Sequence, residues 1–128
     1  GRGLYAVERR GDGRLIGLTG LHRAAFEASF TPCIEIGWRF VAEVWGQGYA
    51  TEAARAVLHD AFGRLGLPRV YSFTAAGKLR SERVMRRLGM RNLGGFDHPA
   101  LPVGHLLRRH VLYAAARDTF EGRFSVRP

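Results

Sequence analysis

Two glycines set just ahead of an amphipathic run constrain this chain more than any other feature. In Trp45-Gly46-Gln47-Gly48-Tyr49-Ala50-Thr51 they remove side chains where a helical period begins. Several main-chain N–H groups can therefore converge on an anion at the positive end of a helix dipole. The run behind the loop, residues 52–65, continues a face made of Ala50, Ala53, Ala54, Val57, Leu58, Ala61, Phe62 and Leu65, with Glu52, Arg55, His59, Asp60 and Arg64 elsewhere. This spacing predicts a helix buried on one side, stopped by Gly66 in the left-handed region and by Pro68. A glycine pair also serves ordinary turns, so the loop alone reads equally as a phosphate seat or a plain turn. It has no Gly-Lys-Ser/Thr ending, and it lacks the third glycine and the later acidic residue of a dinucleotide fingerprint.

The flanking segments are strands. Residues 34–41 alternate, with Ile34, Ile36, Trp38 and Phe40 on one face and Glu35, Gly37, Arg39 and Val41 on the other. Gly37 leaves open space beside Glu35, which reads either as a functional carboxylate or as a solvent-facing partner of Arg39. After the helix, residues 69–75 form another strand. The strand–helix–strand unit makes a parallel crossover, with the glycine loop at the edge where ligands of open α/β sheets bind. Upstream, residues 4–8 and 15–21 flank Asp12-Gly13, a tight-turn pair that predicts a hairpin. Residues 22–32 read as a loop in which Phe26 and Phe30 either pack beneath it or face a ligand. Lys78-Leu79-Arg80-Ser81 leads into a second helix, residues 82–88, with Ser81 as its N-cap and Gly89 as its stop. Residues 90–93 and 110–116 are the last two strands, and the proline- and glycine-rich stretch 94–109 between them reads as a long loop. Residues 118–128 read as a polar, weakly ordered tail.

With 128 residues and 46% hydrophobic content, the chain suits one domain with its own core. Twenty Lys and Arg against 11 Asp and Glu give a formal charge of +9, which favours an anionic partner without naming it. The single Cys33 excludes an internal disulfide framework and points to a reducing, cytoplasmic setting. No apolar run approaches the roughly 20 residues of a membrane span. His98, His105 and His110 lie near Asp97, but their spacings match no zinc pattern, so no metal is expected. Asp97 and His98 read either as surface loop or as part of a ligand pocket. The cations are scattered, with few exposed aromatics between them, so nucleic acid is a weak third reading.

Taken in order, Glu35-Ile36-Gly37-Trp38, the segment from Trp45 to Ala53, Arg80-Ser81 and Val84-Met85-Arg86-Arg87-Leu88-Gly89-Met90 resemble the GNAT acetyltransferases. The nearest branch includes the ribosomal-protein alanine and serine N-terminal acetyltransferases. The resemblance covers nearly all of residues 4–116. It implies the GNAT fold, an α/β (α+β) domain over residues 1–117 with a mixed twisted sheet of about six strands and a central helix after the pyrophosphate loop. The family's first strand and two helices have no counterpart, so the domain reads as N-terminally incomplete, with a homodimer one way to complete the acceptor side and cover a sheet edge.

The resemblance further implies an acetyl-CoA-dependent N-acetyltransferase acting on a protein N-terminus or a small amine. Its cofactor contacts would be Phe40 and Val41 for the pantetheine arm, and Trp45, Gly46, Gln47, Gly48, Tyr49, Ala50 and Thr51 for the pyrophosphate. Lys78 stands where the family usually has asparagine and could reach a phosphate. Trp45 replaces the usual first Arg or Gln of the loop signature, which removes a side-chain contact to phosphate. By similarity Glu35 is the candidate base. The tyrosine that many members use as acid is missing from residues 84–87, leaving Ser81 or water to protonate the departing thiolate. The alternative is a non-catalytic acyl-CoA-binding domain.

Overall fold

The computed structural model describes the backbone of residues 3–124 and the side chains of 3–120. In chain order the elements are β1 (Leu4–Glu8), β2 (Leu15–Ala24), β3 (Cys33–Phe40), α1 (Tyr49–Phe62), β4 (Arg69–Ala75), α2 (Leu79–Arg87), β5 (Arg91–Asp97), β6 (Arg109–Ala116) and α3 (Arg117–Phe124), with a 3-10 turn at Ala42–Val44. The six strands form one sheet in the order β1-β2-β3-β4-β6-β5. All pairings are antiparallel except β3 with β4, the pair joined by the α1 crossover. The expected mixed six-stranded sheet with its central helix is thus present.

The core lies on one face of the sheet. Ile36, Val70, Tyr113 and Ala115 point from the strands toward Ala54, Leu58, Ala61 and Phe62 of α1 and Met85 of α2, all buried. The small residues on the inner face of α1 let the helix sit close to the sheet. Beyond Gly48 a smaller cluster of Ile16, Phe40 and Val44 fixes the end of β3. Among the described residues no helix is long and apolar enough to cross a membrane.

Several boundaries differ from the sequence reading. Helix α1 starts at Tyr49 and ends at Phe62; the Leu65 N–H donates to the Asp60 carbonyl, and Gly66 takes its left-handed conformation (φ 63°) in the following turn. Strand β2 runs on to Ala24 because it keeps pairing with β3 up to Ala24 opposite Cys33. Strand β5 extends through Gly94 and Gly95 to Asp97, absorbing the glycines in an irregularity where the Gly94 N–H donates to Asn92 Oδ1. The residues after 117 form α3 rather than a polar extension. Phe120 is buried and packs on Phe62 and His59, partners on α1 that lie far from it in sequence. The last four residues of the expected tail lie outside the described residues.

Candidate active site

Strand β3 builds the site, because its ladder with β4 opens almost as soon as it forms. Glu35 opposite Tyr71 is the one registered pair between the two strands. Past that point the groups of a continued parallel ladder find other partners. Ser72 Oγ donates to the Ile36 carbonyl at 3.0 Å, and the Phe73 main-chain N–H donates to the Glu35 carboxylate. On the other edge of β3, the Val41 N–H donates to Ile16 and the Gly37 carbonyl accepts from Thr19 Oγ1. Odd-numbered residues here turn their backbone groups toward β2, so Ile36, Trp38 and Phe40 turn theirs toward the opening. The Phe40 carbonyl accepts from the Trp45 indole N–H at 2.9 Å.

On the helical side, a groove of about 660 Å³ runs from Trp38 and Phe40 across the glycine loop to α2. Gly46 and Gly48 have φ of 79° and 86°, a conformation that favours glycine, and Gly48 is the N-cap of α1 without any side-chain cap. The first main-chain bond at this end is Glu52 N–H to the Gly48 carbonyl. Tyr49, Ala50 and Thr51, whose amides precede the helical ladder, line the groove, with the positive end of a 14-residue helix behind them. Arg39, Lys78, Arg80, Arg83 and Arg87 also line it. The loop and these cations suit a polyanion.

On the opposite side of the opening lies Glu35. Only 7% of it is exposed, and burial pushes its carboxyl from 4.5 up to about 8 against the opposing pull of the Phe73 N–H. Its expected partner Arg39 is displaced by His22, which stands directly across from it on β2 with Nε2 at 2.6 Å from Glu35 Oε1. His22 was missed because it fell in a stretch read as loop; the adjacent polar residues His22 and Arg23 break the period of 2, and the strand continues there through its pairing with β3. Next to Glu35 on the same face, a side chain at Gly37 would meet no atom within 4 Å. The carboxyl therefore borders open space.

The other candidates divide. Phe40, Trp45, Gly46, Gly48, Tyr49, Ala50, Thr51, Lys78 and Ser81 line the groove. Val41 and Gln47 do not: the Val41 N–H is tied to Ile16, and Gln47 Nε2 donates to the Glu43 carbonyl. Ser81 is not the N-cap of α2, since the helix begins earlier, at Leu79, with Lys78 at the cap. Asp97 meets Arg108 and Arg109 at 3.5 and 3.4 Å. His98 sits against Phe26 with ring centroids 4.3 Å apart, part of an aromatic layer with Phe30, Phe73, Phe96 and His110. Burial, and then the charge of His110, lowers the pKa of His98. Among the described residues no group of three or more His, Cys, Asp or Glu could hold a metal ion.

A family model described as the acetyltransferase (GNAT) domain matches residues 1–91. The uncharacterized N-acetyltransferase YnaD of Bacillus subtilis (strain 168) is 38% identical over 84 residues, covering 66% of this chain and 49% of the relative. The chain spans about half the length of the curated relatives it matches. Among solved structures, a GNAT-family acetyltransferase from Bacillus anthracis superposes with a TM-score of 0.74 at 30% identity, over 90% of this chain and 66% of that one. The ribosomal-protein-S5-alanine acetyltransferase from Vibrio fischeri superposes with a TM-score of 0.75 at 18% identity, over 93% and 63%, which speaks to fold alone.

Proposed function

The chain belongs to the GNAT acetyltransferase family, and on that premise we propose that it transfers an acetyl group from acetyl-CoA to a primary amine by direct attack. The observation that carries this reading is the β3–β4 opening, with an anion-suited groove on one side and a buried carboxyl bordering open space on the other. The residues present fit acetyl-CoA. The amides of Tyr49, Ala50 and Thr51 would take the pyrophosphate, and the Trp38 carbonyl, which faces the opening, would accept from the pantetheine arm.

When bound, acetyl-CoA supplies an activated carbonyl. An amine entering past Gly37 reaches that carbonyl beside Glu35, which accepts the ammonium proton directly or through a water. A base near pH 8 matches this task better than an ordinary carboxylate, which would be too weak to take a proton from an amine. His22 holds the carboxyl in place, and the Trp38 N–H is the donor we assign to the developing oxyanion. Either Ser81, which lines the groove, or water returns a proton to the sulfur; Ser81→Ala separates the two.

The acceptor class is a protein N-terminus or a small amine. The cytoplasm is the compartment we assign, where Cys33 stays reduced. A homodimer across β1 or β5, the two edge strands, belongs to the same proposal and is decided by solution mass. The central experiment is calorimetric titration with acetyl-CoA, followed in the same sample by thiol release on adding amine-bearing peptides and polyamines. Binding with thiol release is expected. Binding without it would make the chain an acyl-CoA-binding domain.

A further inference from the structure

The strand registers set one row of residues straight across the sheet. His22 of β2 stands opposite Glu35 of β3, Glu35 opposite Tyr71 of β4, Tyr71 opposite Ala114 of β6, and Ala114 opposite Arg91 of β5. Residues opposite one another in paired strands share a face, and the neighbours Ile36, Val70, Tyr113 and Ala115 pack against α1 and α2. The row therefore lies on the face turned away from those helices. Arg69 joins it two positions before Tyr71, opposite Ala116. The row runs from the carboxyl that borders open space to an arginine on the edge strand.

Between its ends the row is shallow. Ala114 and Ala116 each offer one methyl, flanked by Arg69 and Tyr71 on β4 and by Arg91 on β5. Both arginines are exposed, and among the described residues neither lies within ion-pair distance of a carboxylate. Other cations are neutralised locally, Arg9 by Asp12, Arg64 by Asp60, and Arg108 and Arg109 by Asp97. Arg69 is also held in place. Its Nη1 donates to the Tyr71 hydroxyl at 3.4 Å, and the Tyr71 ring lies 5.8 Å from that of Phe30, centroid to centroid.

With strands about 4.8 Å apart, the backbone at Ala114 is about 10 Å from that at Glu35, and Arg91 about 14 Å. An anion resting over Ala114 thus sits about three extended residues, at about 3.3 Å each, from an amine at Glu35. The carboxylate of a free α-amino acid is too close to its own nitrogen to span this. Guanidinium groups present paired N–H donors that suit carboxylate oxygens. We propose that Arg69 and Arg91 form a carboxylate seat for the acceptor, which is the N-terminus of a polypeptide with Asp or Glu at its third position. The seat rests on Glu35 receiving the amine, as proposed above, and adds which acceptor that face selects. Polyamines are disfavoured, because their further cations would meet the two arginines.

Thiol release from acetyl-CoA with three peptides, identical except for Glu, Gln or Lys at the third position, tests it. kcat/KM for the Glu peptide should exceed that for the Gln peptide about 3- to 10-fold, the range for a carboxylate on solvated cations, with the Lys peptide below both. Arg69→Gln and Arg91→Gln should each raise KM for the Glu peptide, with its kcat and the Gln peptide's kcat/KM within about twofold of wild type. A merely structural role would move all three peptides together and would overturn the seat. Equal kcat/KM for the Glu and Gln peptides, or a preference that survives the double substitution, would overturn the seat and leave transfer standing. Release with polyamines but with none of the peptides would do the same. Release with no acceptor at all would overturn both.

Discussion

The pH dependence of transfer tests the placement of Glu35 most directly. With its carboxyl held at about 8 by burial, about a tenth of the molecules carry the carboxylate at pH 7 and about a hundredth at pH 6. If Glu35 accepts the amine's proton, kcat/KM should climb nearly tenfold per pH unit below 7 and level off above about 8. The assay is thiol release with an acceptor amine of low pKa, neutral across the range, so that its own ionisation does not shape the curve. Glu35→Gln, close in shape, should lower the plateau by about 10²- to 10⁴-fold and remove the limb, with acetyl-CoA affinity within about twofold. A wild-type midpoint near 4.5, or a Gln variant that keeps the limb, would refute the reasoning.

The same displacement acts on folding. The folded pKa lies above the unfolded one, so between about 4.5 and about 8 the native state keeps a proton that the unfolded chain has lost. The contribution is fully present below the lower value and is lost as pH rises through the upper, with a slope of up to about 1.4 kcal/mol per pH unit. Denaturant melts of wild type and Glu35→Gln at pH 5 and pH 8 isolate this group, and the variant should gain on the wild type as pH rises. Equal pH slopes would mean that Glu35 is not held protonated.

His22→Ala removes the contact at 2.6 Å from the Glu35 carboxyl; losing a donor to the charged form should move the activity limb to higher pH, read in the same thiol assay. Gly48→Ala places a side chain at φ 86°; it should cost about 1–2 kcal/mol of stability in thermal melts and weaken acetyl-CoA binding in titration. Phe120→Ala removes a buried ring packed on Phe62; a loss of about 3–5 kcal/mol is expected from denaturant melts. An unchanged midpoint there would mean that α3 is not part of the cooperative unit.

The parts of the fold set by local chemistry were legible. The period of α1, the Asp12-Gly13 turn and the alternation of β3 and β4 each depend on residues a few positions apart, and the sheet and central helix follow from them. What escaped depends on pairing across the chain. His22 meets Glu35 only through the β2–β3 register, and polar His22 and Arg23 masked a strand that Ala24 completes against Cys33. Gly94 and Gly95 read as loop because a register irregularity that accommodates glycine has no periodic signature. In helix α3 the buried Phe120 packs on Phe62 and His59, partners that lie on α1 and far away in sequence. For Glu35, strand alternation gave the side of the sheet but not the burial, because the cover comes from neighbouring strands and not from its own.

Strand β3 divides its labour by parity, and in the proposed reaction one short segment would thereby serve both ligands. Its odd-numbered side chains, Glu35 and Gly37, make a buried carboxyl with open space beside it. Its even-numbered backbone groups face the side that β4 leaves after one registered pair, where side chains take the Ile36 and Phe40 carbonyls and Trp38 lies between them. The departure also supplies Glu35 with its second partner, since the Phe73 N–H is free to reach the carboxylate only where the ladder has ended. A continued ladder would close the opening and withdraw that N–H together. The carboxyl's environment and the opening proposed for the thioester therefore have one structural cause, and Ser72, buried and bonded to the Ile36 carbonyl, holds the strands at the point where they part.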